Sequence, residues 1–203
     1  MKMLNLNYQN FEKSFALFYY LKNTDLTHVS NRILSLKEGD FGEFGDYCTD
    51  LISANLKDEN ITFCIRALSS KESTVLPQSD IGSQKLGLSL SNKLGLGYIP
   101  HILKKKITKP MHTISDKSER LSNIIGSYSL NENIIGDINL NNTKVLIVDD
   151  ISTTGATVYE IARVLREYWP NVRLYFACVA KTNNEVGDSA NKALLEEYHF
   201  IAV

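Results

Sequence analysis

Residues 145–157, VLIVDDISTTGAT, constrain the fold more than any other part of the chain. The first four are apolar and mostly β-branched, a run typical of a strand buried on both faces of a parallel sheet. Two carboxylates, Asp149 and Asp150, follow at once, and a small, hydroxyl-rich segment covers residues 152–157. Apolar residues then recur at helical spacing over residues 158–165. The stretch therefore predicts a strand, an acidic pair, a loop of the size that binds a phosphate, and a helix.

The predicted loop has the chemistry of an anion site. A loop that enters a helix offers unpaired N–H groups and the positive end of the helix dipole, and both attract phosphate. Gly155 permits positive φ and a close approach of the backbone to an anion. Asp149 and Asp150 repel phosphate, but they can accept hydrogen bonds from sugar hydroxyls or hold a hard cation such as Mg²⁺. Together the two parts predict a site for a phosphorylated sugar.

The same residues resemble the phosphoribosyl-pyrophosphate (PRPP) motif of type I phosphoribosyltransferases, in which an acidic pair and a T-T-G-x-T loop follow an apolar strand. The resemblance implies that Asp149 and Asp150 bind the ribose hydroxyls. It also implies that the 5′-phosphate is bound by Ser152, Thr153, Thr154, Gly155, Ala156 and Thr157. An ordinary strand–loop–helix crossover with a chance acidic pair is the competing interpretation.

This resemblance also implies a reaction. A phosphoribosyltransferase joins the phosphoribosyl group of PRPP to a nitrogen acceptor, here expected to be nucleobase-like, and releases pyrophosphate with the help of Mg²⁺. Asp149 and Asp150 would favour the positively charged ribose ring of the transition state. Residues 181–184 and the N-terminal segment are the candidates for the wall of the acceptor site.

Strands and helices alternate along the chain, which predicts an α/β fold with an open, mainly parallel, twisted sheet and helices on both faces. We expect one phosphoribosyltransferase-like domain over residues 1–203. Residues 15–21 fit a strand or a short helix, and residues 1–45 could contribute core packing, a hood or a dimer surface. Residues 124–130 and 134–140 are two β-prone runs that predict a hairpin.

Two further segments could contact a polyanion. Residues 61–68 predict a strand, and ligands of doubly wound folds gather at the carboxyl ends of strands. We therefore expect Arg66 and the following loop to meet an anion, with a solvated loop of ordinary surface charges as the competing interpretation. The resemblance assigns the pyrophosphate to Leu68, Ser69, Ser70 and Lys71. A basic stretch further on predicts either a solvated face or a mobile loop over the pyrophosphate, with Lys105, Lys106 and Lys109 as its candidate residues.

A wider resemblance covers residues 27–181, which are similar to the ComF-like group of phosphoribosyltransferases, associated in name with competence for DNA uptake. Residues 33–39 resemble its I-x-x-L-K-x-G segment, and residues 108–126 resemble its T-x-P-Q…L-S-x-x-E-R-x-x-N-x-x-G stretch, with Met111 in the place of the glutamine. The arginine-rich segment after the first strand is thinner here, and no cysteine-rich zinc ribbon is present. The thinner arginine-rich segment keeps a non-catalytic PRPP- or nucleotide-binding regulator open as an alternative. A DNA-uptake accessory protein is a second alternative, suggested only by the name of the group, and the missing ribbon counts against direct binding to nucleic acid.

Composition limits the partners that we expect. The net charge of −1 gives no reason to expect direct binding to nucleic acid or to a membrane. Cys48, Cys64 and Cys178 are far apart, which predicts buried free thiols and a reducing compartment. The first ten residues lack the apolar core of a secretory signal. We therefore expect a cytoplasmic protein whose partners are PRPP and a small-molecule acceptor, with a homodimer left open.

Overall fold

The computed structural model describes residues 3–21, 28–75, 81–106, 122–136 and 138–182. Its strands are β1 (Leu4–Asn5), β2 (Lys13–Tyr20), β3 (Phe63–Arg66), β4 (Gly97–Tyr98), β5 (Leu103–Lys105), β6 (Tyr128–Leu130), β7 (Lys144–Ser152) and β8 (Arg173–Thr182). Its helices are α1 (His28–Lys37), α2 (Gly42–Leu56), α3 (Gly82–Leu94), the single turn α4 (Glu132–Ile135) and α5 (Ala156–Tyr168), with a 3₁₀ turn at Pro100–Ile102.

The main sheet has the strand order β1-β2-β8-β7-β3-β4. All neighbours in it are parallel except the edge strand β1, which runs antiparallel to β2. In β7, Ile147 lies opposite Ile65 of β3 on one side and Phe176 of β8 on the other. The strand predicted to be buried on both faces is therefore an inner strand of the sheet, and Val145, Leu146, Ile147 and Val148 have no exposed surface.

Helices cover both faces of this sheet. On one face, α5 and the small antiparallel sheet formed by β5 and β6 pack over β7 and β8. On the other face, α1, α2 and α3 pack over the same strands. The predicted fold class, an open and mainly parallel α/β sheet between two helical layers, is confirmed by this arrangement.

The aromatic N-terminal segment belongs to the sheet and the core. Residues 13–20 form β2, which pairs in parallel with β8, and Phe15 and Phe18 are almost completely buried. The choice between strand and helix is thus resolved in favour of a strand. The expectation that cysteines are buried free thiols is also confirmed for Cys48, Cys64 and Cys178.

The predicted hairpin over residues 124–140 is wrong. β6 pairs instead with β5, so that Leu130 lies opposite Leu103. The carbonyl of Asn131 accepts hydrogen bonds from Ile134 N at 2.9 Å and Ile135 N at 3.1 Å, which closes a helical turn where the second strand was expected. The apolar residues of this segment belong to a turn that packs against the core. Ile135 of this turn contacts one of the two apolar clusters.

The sequence also predicts a helix at residues 115–121, a helix at residues 187–198 and a strand at residues 200–203, and all three lie outside the described residues. None of the described helices combines the length and the apolar content that crossing a membrane requires.

Gly82 provides a test of how α3 packs against α1. A Cβ atom at this position would lie 2.0 Å from the carbonyl oxygen of Leu36, a backbone atom that cannot move away cheaply. An alanine in a helix normally stabilises it relative to glycine by about 1 kcal/mol. Here we expect Gly82→Ala to lower the free energy of unfolding by about 1–3 kcal/mol, measured by urea denaturation.

The matched control is Asn92→Ala, at an exposed position of the same helix. We expect it to change the free energy of unfolding by less than about 0.5 kcal/mol. A Gly82→Ala protein as stable as the natural one would contradict the close packing described here.

Candidate functional site

The candidate site lies where three parallel strands end side by side. β3, β7 and β8 are neighbours that run in the same direction, so the segments that follow Arg66, Val148 and Ala180 meet at one edge of the sheet. The sheet thereby brings together the acidic pair, the loop after β3 and the connection between β7 and α5. This edge is the usual location of ligands in open α/β sheets.

The acidic pair stands within the last part of β7. The N–H of Asp150 donates to Asp149 Oδ1 at 2.9 Å, and the N–H of Ile151 donates to Asp150 Oδ1 at 2.6 Å. Burial, and next the negative charge of Asp150, raise the pKa of Asp149 well above its usual range, while Lys37 acts in the opposite direction. Each side chain uses one carboxylate oxygen in its internal bond, and a carboxylate can accept at both oxygens.

The segment predicted as a phosphate loop is shorter than expected. Ser152 is the last residue of β7, and Ala156 and Thr157 begin α5, so the connection consists of Thr153, Thr154 and Gly155. Gly155 has φ of +85°, the left-handed conformation that a glycine adopts without strain. Thr154 Oγ1 accepts from the N–H of Ala156 at 3.3 Å, which orders the first turn of the helix.

The hydroxyl of Ser152 contacts the N-terminal segment beside this connection. Ser152 is buried, and its Oγ lies 2.8 Å from the hydroxyl of Tyr8, a residue of the N-terminal segment. Lys181, a candidate for the wall of the acceptor site, is part of β8, and its ammonium donates to the carbonyl of Thr153 and to Tyr8 Oη at 3.1 Å. Thr182 also belongs to β8, whereas residues 183 and 184 lie outside the described part of the chain.

The expectation that Arg66 meets a polyanion is wrong. Its side chain is completely buried and donates to Glu72 through both terminal nitrogens, at 2.9 and 2.6 Å. Its Nε donates to Gln84 at 2.7 Å. Glu72 in turn accepts from the N–H of Ser69 at 2.8 Å, so this ion pair neutralises Arg66 and closes the loop that follows β3.

The small sheet holds the same loop from its other side. Tyr128 Oη lies 3.0 Å from both the N–H and the carbonyl oxygen of Leu68, so this hydroxyl accepts from one and donates to the other. The ammonium of Lys105 donates to the carbonyl oxygens of Leu68 and Ser69 at 3.0 and 3.1 Å. Burial lowers the pKa of Lys105 to about 8 despite the negative charges of Asp149 and Glu72.

Lys105 is therefore not part of a mobile loop. It is the last residue of β5, its side chain is buried, and its N–H donates to the carbonyl of Ser73 at 2.8 Å. Lys106 follows the strand, and its N–H donates to the carbonyl of Ser127 at 2.8 Å. Lys109, the third residue assigned to this loop, lies outside the described residues. In the loop after β3, Leu68 is buried, Ser69 and Ser70 are half-buried, and Lys71 is exposed.

Sequence reasoning missed four residues that shape this edge of the sheet, namely Tyr8, Glu72, Tyr128 and the buried form of Lys105. Tyr8, Tyr128 and Lys105 act through contacts with residues that are distant along the chain, which no local pattern displays. The nearest sequence signal is at Glu72, a carboxylate six residues after Arg66, and this separation does not identify an ion pair by itself.

Comparisons with known proteins find likeness in solved structures. One is a purine phosphoribosyltransferase from Pyrococcus horikoshii, with 19% identity over 70% of this chain and 76% of that chain, and a TM-score of 0.42. Another is a hypoxanthine phosphoribosyltransferase from Staphylococcus aureus, with 15% identity over 83% of this chain and 74% of that chain, and a TM-score of 0.41.

A third similar structure is an adenine phosphoribosyltransferase from Trypanosoma brucei, in complex with AMP, pyrophosphate and ribose 5-phosphate. It shares 11% identity over 94% of this chain and 90% of that chain, with a TM-score of 0.45. No protein-family model matches the sequence, and no curated protein does either. At these identities and TM-scores, the likeness assigns no activity to the chain.

The raised pKa of Asp149 leads to a stability test. The folded protein holds the proton of Asp149 at pH values where the unfolded chain has released it, so stability falls as the pH rises towards the pKa of the folded state. Asp149→Asn removes this cost, and we expect it to raise the free energy of unfolding at pH 7 by about 1–2 kcal/mol. The gain should shrink as the pH is lowered to about 3, where the natural carboxyl is mostly protonated in both states.

Urea denaturation at several pH values measures this difference. Asp46→Asn, at an exposed position of α2, is the matched control and should change the stability by less than about 0.5 kcal/mol. An Asp149→Asn protein that is less stable than the natural one at pH 7 would contradict the assignment of a costly, half-buried carboxylate.

Proposed function

We propose that this protein is a phosphoribosyltransferase that binds PRPP with Mg²⁺ and transfers its phosphoribosyl group to a nucleobase-like nitrogen acceptor. One observation carries the proposal. The adjacent carboxylates Asp149 and Asp150 lie near the end of the inner parallel strand β7. One backbone loop beside them follows β3, and the other leads from β7 into α5. The order of groups is therefore a loop, two carboxylates and a second loop. A ligand with a sugar between two phosphate groups matches this order, with the sugar at the carboxylates and a phosphate group at each loop.

Asp149 and Asp150 are proposed to bind the ribose hydroxyls. Both side chains accept from backbone N–H groups of their own strand, which fixes their orientation. The oxygens not used in these bonds can accept from hydroxyl groups. Negative charge at this position also favours a ribose ring that becomes positive in the transition state.

The 5′-phosphate is proposed to bind at the connection between β7 and α5. Gly155 brings the backbone into the left-handed conformation directly before the helix, and the first turn of α5 presents its N–H groups there. Thr153, Thr154 and Thr157 carry hydroxyl groups beside this turn. A helix N-terminus with neighbouring hydroxyl donors is a favourable environment for a phosphate dianion.

The pyrophosphate is proposed to bind at residues 68–71. Lys105 binds the carbonyls of Leu68 and Ser69 from the interior, and the C=O and N–H of one trans peptide point in opposite directions. The N–H of Ser70, which shares a peptide with the Ser69 carbonyl, is therefore turned away from Lys105. This orientation supports a role for the loop backbone in binding an anion.

The carboxylates also fit Mg²⁺. Among the described residues, no three His, Cys, Asp or Glu side chains converge on one point. Mg²⁺ commonly binds through one or two carboxylates together with substrate phosphates and water, and Asp149 or Asp150 could supply the protein part of such a set. When bound, the ion would offset the negative charge of the pyrophosphate leaving group.

In the proposed reaction a nitrogen lone pair of the acceptor forms a bond to C1 of the ribose. The bond from C1 to the pyrophosphate oxygen breaks, and pyrophosphate leaves with the electron pair. The ring passes through an oxocarbenium-like transition state. The protein contributes positioning and charge stabilisation, and none of the residues named here is assigned as a general base.

A non-catalytic PRPP or nucleotide sensor is the second candidate, and the Arg66–Glu72 pair favours it. The one arginine at the end of β3 is neutralised inside the protein, so the loop that follows offers only Lys71 as an exposed cation within residues 67–72. A weakly charged pyrophosphate site would bind PRPP but assist the departure of pyrophosphate poorly. Membership of the ComF-like group and a role in DNA uptake also remain predictions.

Pyrophosphate release separates the two candidates. The purified protein is incubated with Mg²⁺, PRPP and each of a panel of nucleobases, and pyrophosphate is measured. The enzyme hypothesis predicts release that depends on one class of base. PRPP binding without release from any base in the panel would support the sensor.

The double variant Asp149→Asn and Asp150→Asn tests the site itself. We expect it to fold and to bind PRPP at least about tenfold more weakly, because hydrogen bonds to charged acceptors contribute about 1.5–3 kcal/mol each. Asp46→Asn with Asp50→Asn, at two exposed positions of α2, makes the same change of charge elsewhere. Unchanged PRPP affinity in the first double variant would contradict the assignment of the acidic pair.

A further inference from the structure

The N-terminal segment reaches the connection between β7 and α5 through Tyr8. Its hydroxyl lies 2.8 Å from Ser152 Oγ and 3.1 Å from Lys181 Nζ. Lys181 Nζ also donates to the carbonyl oxygen of Thr153. Three separate parts of the chain therefore meet directly behind Gly155. They are the residues before β2, the end of β7 and the end of β8.

Packing fixes the ring of Tyr8 in this position. A Cβ atom at Gly155 would lie 2.8 Å from Tyr8 Cζ, so the ring is in direct contact with the loop. The ring stacks on Phe176, with centroids 5.7 Å apart, and meets Tyr159 of α5 at 5.3 Å. The hydroxyl of Tyr8 is thus held at a defined point by contacts that do not involve its oxygen.

Lys181 brings an uncompensated positive charge to the same place. Among the described residues, its hydrogen-bond partners are the neutral oxygens of Tyr8 and Thr153, and no carboxylate forms an ion pair with it. Burial lowers the pKa of Lys181 from its usual value, so the ammonium bears a cost in this position. An anion bound at the adjacent loop would offset that cost.

The contact with Thr153 also orients the loop. In a trans peptide the carbonyl of Thr153 and the N–H of Thr154 point in opposite directions. Because Lys181 binds this carbonyl from behind, the N–H of Thr154 is turned towards the opposite side of the connection. The lysine therefore acts on the loop through its backbone as well as through its charge.

We propose that Tyr8 and Lys181 are positioning residues for a phosphate monoester at residues 153–157. Lys181 orients the Thr153 peptide and supplies positive charge. Tyr8 holds Lys181 and Ser152 in place. This inference rests on the proposed function, since the phosphate monoester is the 5′-phosphate of PRPP. It assigns to the N-terminal segment a part of the phosphate site that the PRPP-like motif does not contain.

The test uses the full chain and two probes that report on opposite ends of the site, ribose 5-phosphate and Mg²⁺ with pyrophosphate. Dissociation constants are measured by calorimetry without any acceptor. We expect Lys181→Met to weaken ribose 5-phosphate binding by about tenfold or more, and Tyr8→Phe by about threefold to tenfold. Both variants should leave pyrophosphate affinity within about twofold of the natural protein.

Matched controls remove the same groups at the opposite end of the sheet. Lys13→Met deletes a lysine charge at the start of β2, and Tyr175→Phe deletes a hydroxyl that donates to Glu59. Neither should change ribose 5-phosphate affinity. Lys181→Arg, which keeps the charge, should recover part of the affinity that Lys181→Met loses, and thermal unfolding of every variant shows whether it is folded.

Each outcome bears on the proposal. Equal losses for both probes, or no loss for ribose 5-phosphate, would overturn it. A Lys181→Met protein with unchanged ribose 5-phosphate affinity but a raised KM for the acceptor would instead assign Lys181 to the acceptor site. A natural protein that binds neither ribose 5-phosphate nor PRPP would refute the proposed function and this inference with it, whereas PRPP binding that is insensitive to Tyr8 and Lys181 would refute the inference alone.

Discussion

Two adjacent carboxylates at the end of an inner strand are the constraint on which the site depends. β7 is apolar and buried from Val145 to Val148, and the next two residues are acids. Placing that charge beside an apolar core is costly, and the elevated pKa of Asp149 expresses the cost. Two kinds of interaction offset part of this cost. The backbone N–H groups of Asp150 and Ile151 donate to the carboxylates, and the positive charges of Lys37 and Lys105 act on Asp149.

Both loops beside the acidic pair are supported in the same way. A lysine stands behind each loop and binds its backbone carbonyls, Lys105 behind residues 68–69 and Lys181 behind Thr153. A tyrosine hydroxyl accompanies each lysine, from Tyr128 in the first case and Tyr8 in the second. Because peptide groups are planar, holding the carbonyls of Ser69 and Thr153 turns the N–H groups of Ser70 and Thr154 away from the two lysines, whereas the N–H of Ser69 donates to Glu72. These two orientations support the proposal that backbone donors bind an anion at two places on one edge of the sheet.

Patterns within a few residues predicted the parts of this site that local chemistry determines. The apolar run of β7, the acidic pair and the positive φ of Gly155 all follow from residues 145–157. The interactions that escaped prediction join residues far apart in the chain. The pairs Tyr8 with Ser152 and Lys105 with Leu68 form only when the sheet is assembled. The strand predicted after Asn131 is wrong for a related reason. β6 pairs with β5, and the residues that follow β6 form a helical turn instead of a second strand.

The most direct test of the account compares one ligand with its two halves. Calorimetric titrations of the natural protein, all with Mg²⁺, would measure the affinities of PRPP, ribose 5-phosphate and pyrophosphate. If the two loops bind the two ends of one ligand across the acidic pair, PRPP should bind at least about tenfold more tightly than either half, because the second end binds as part of an already tethered molecule. PRPP that binds no more tightly than ribose 5-phosphate, or not at all, would contradict the central claim.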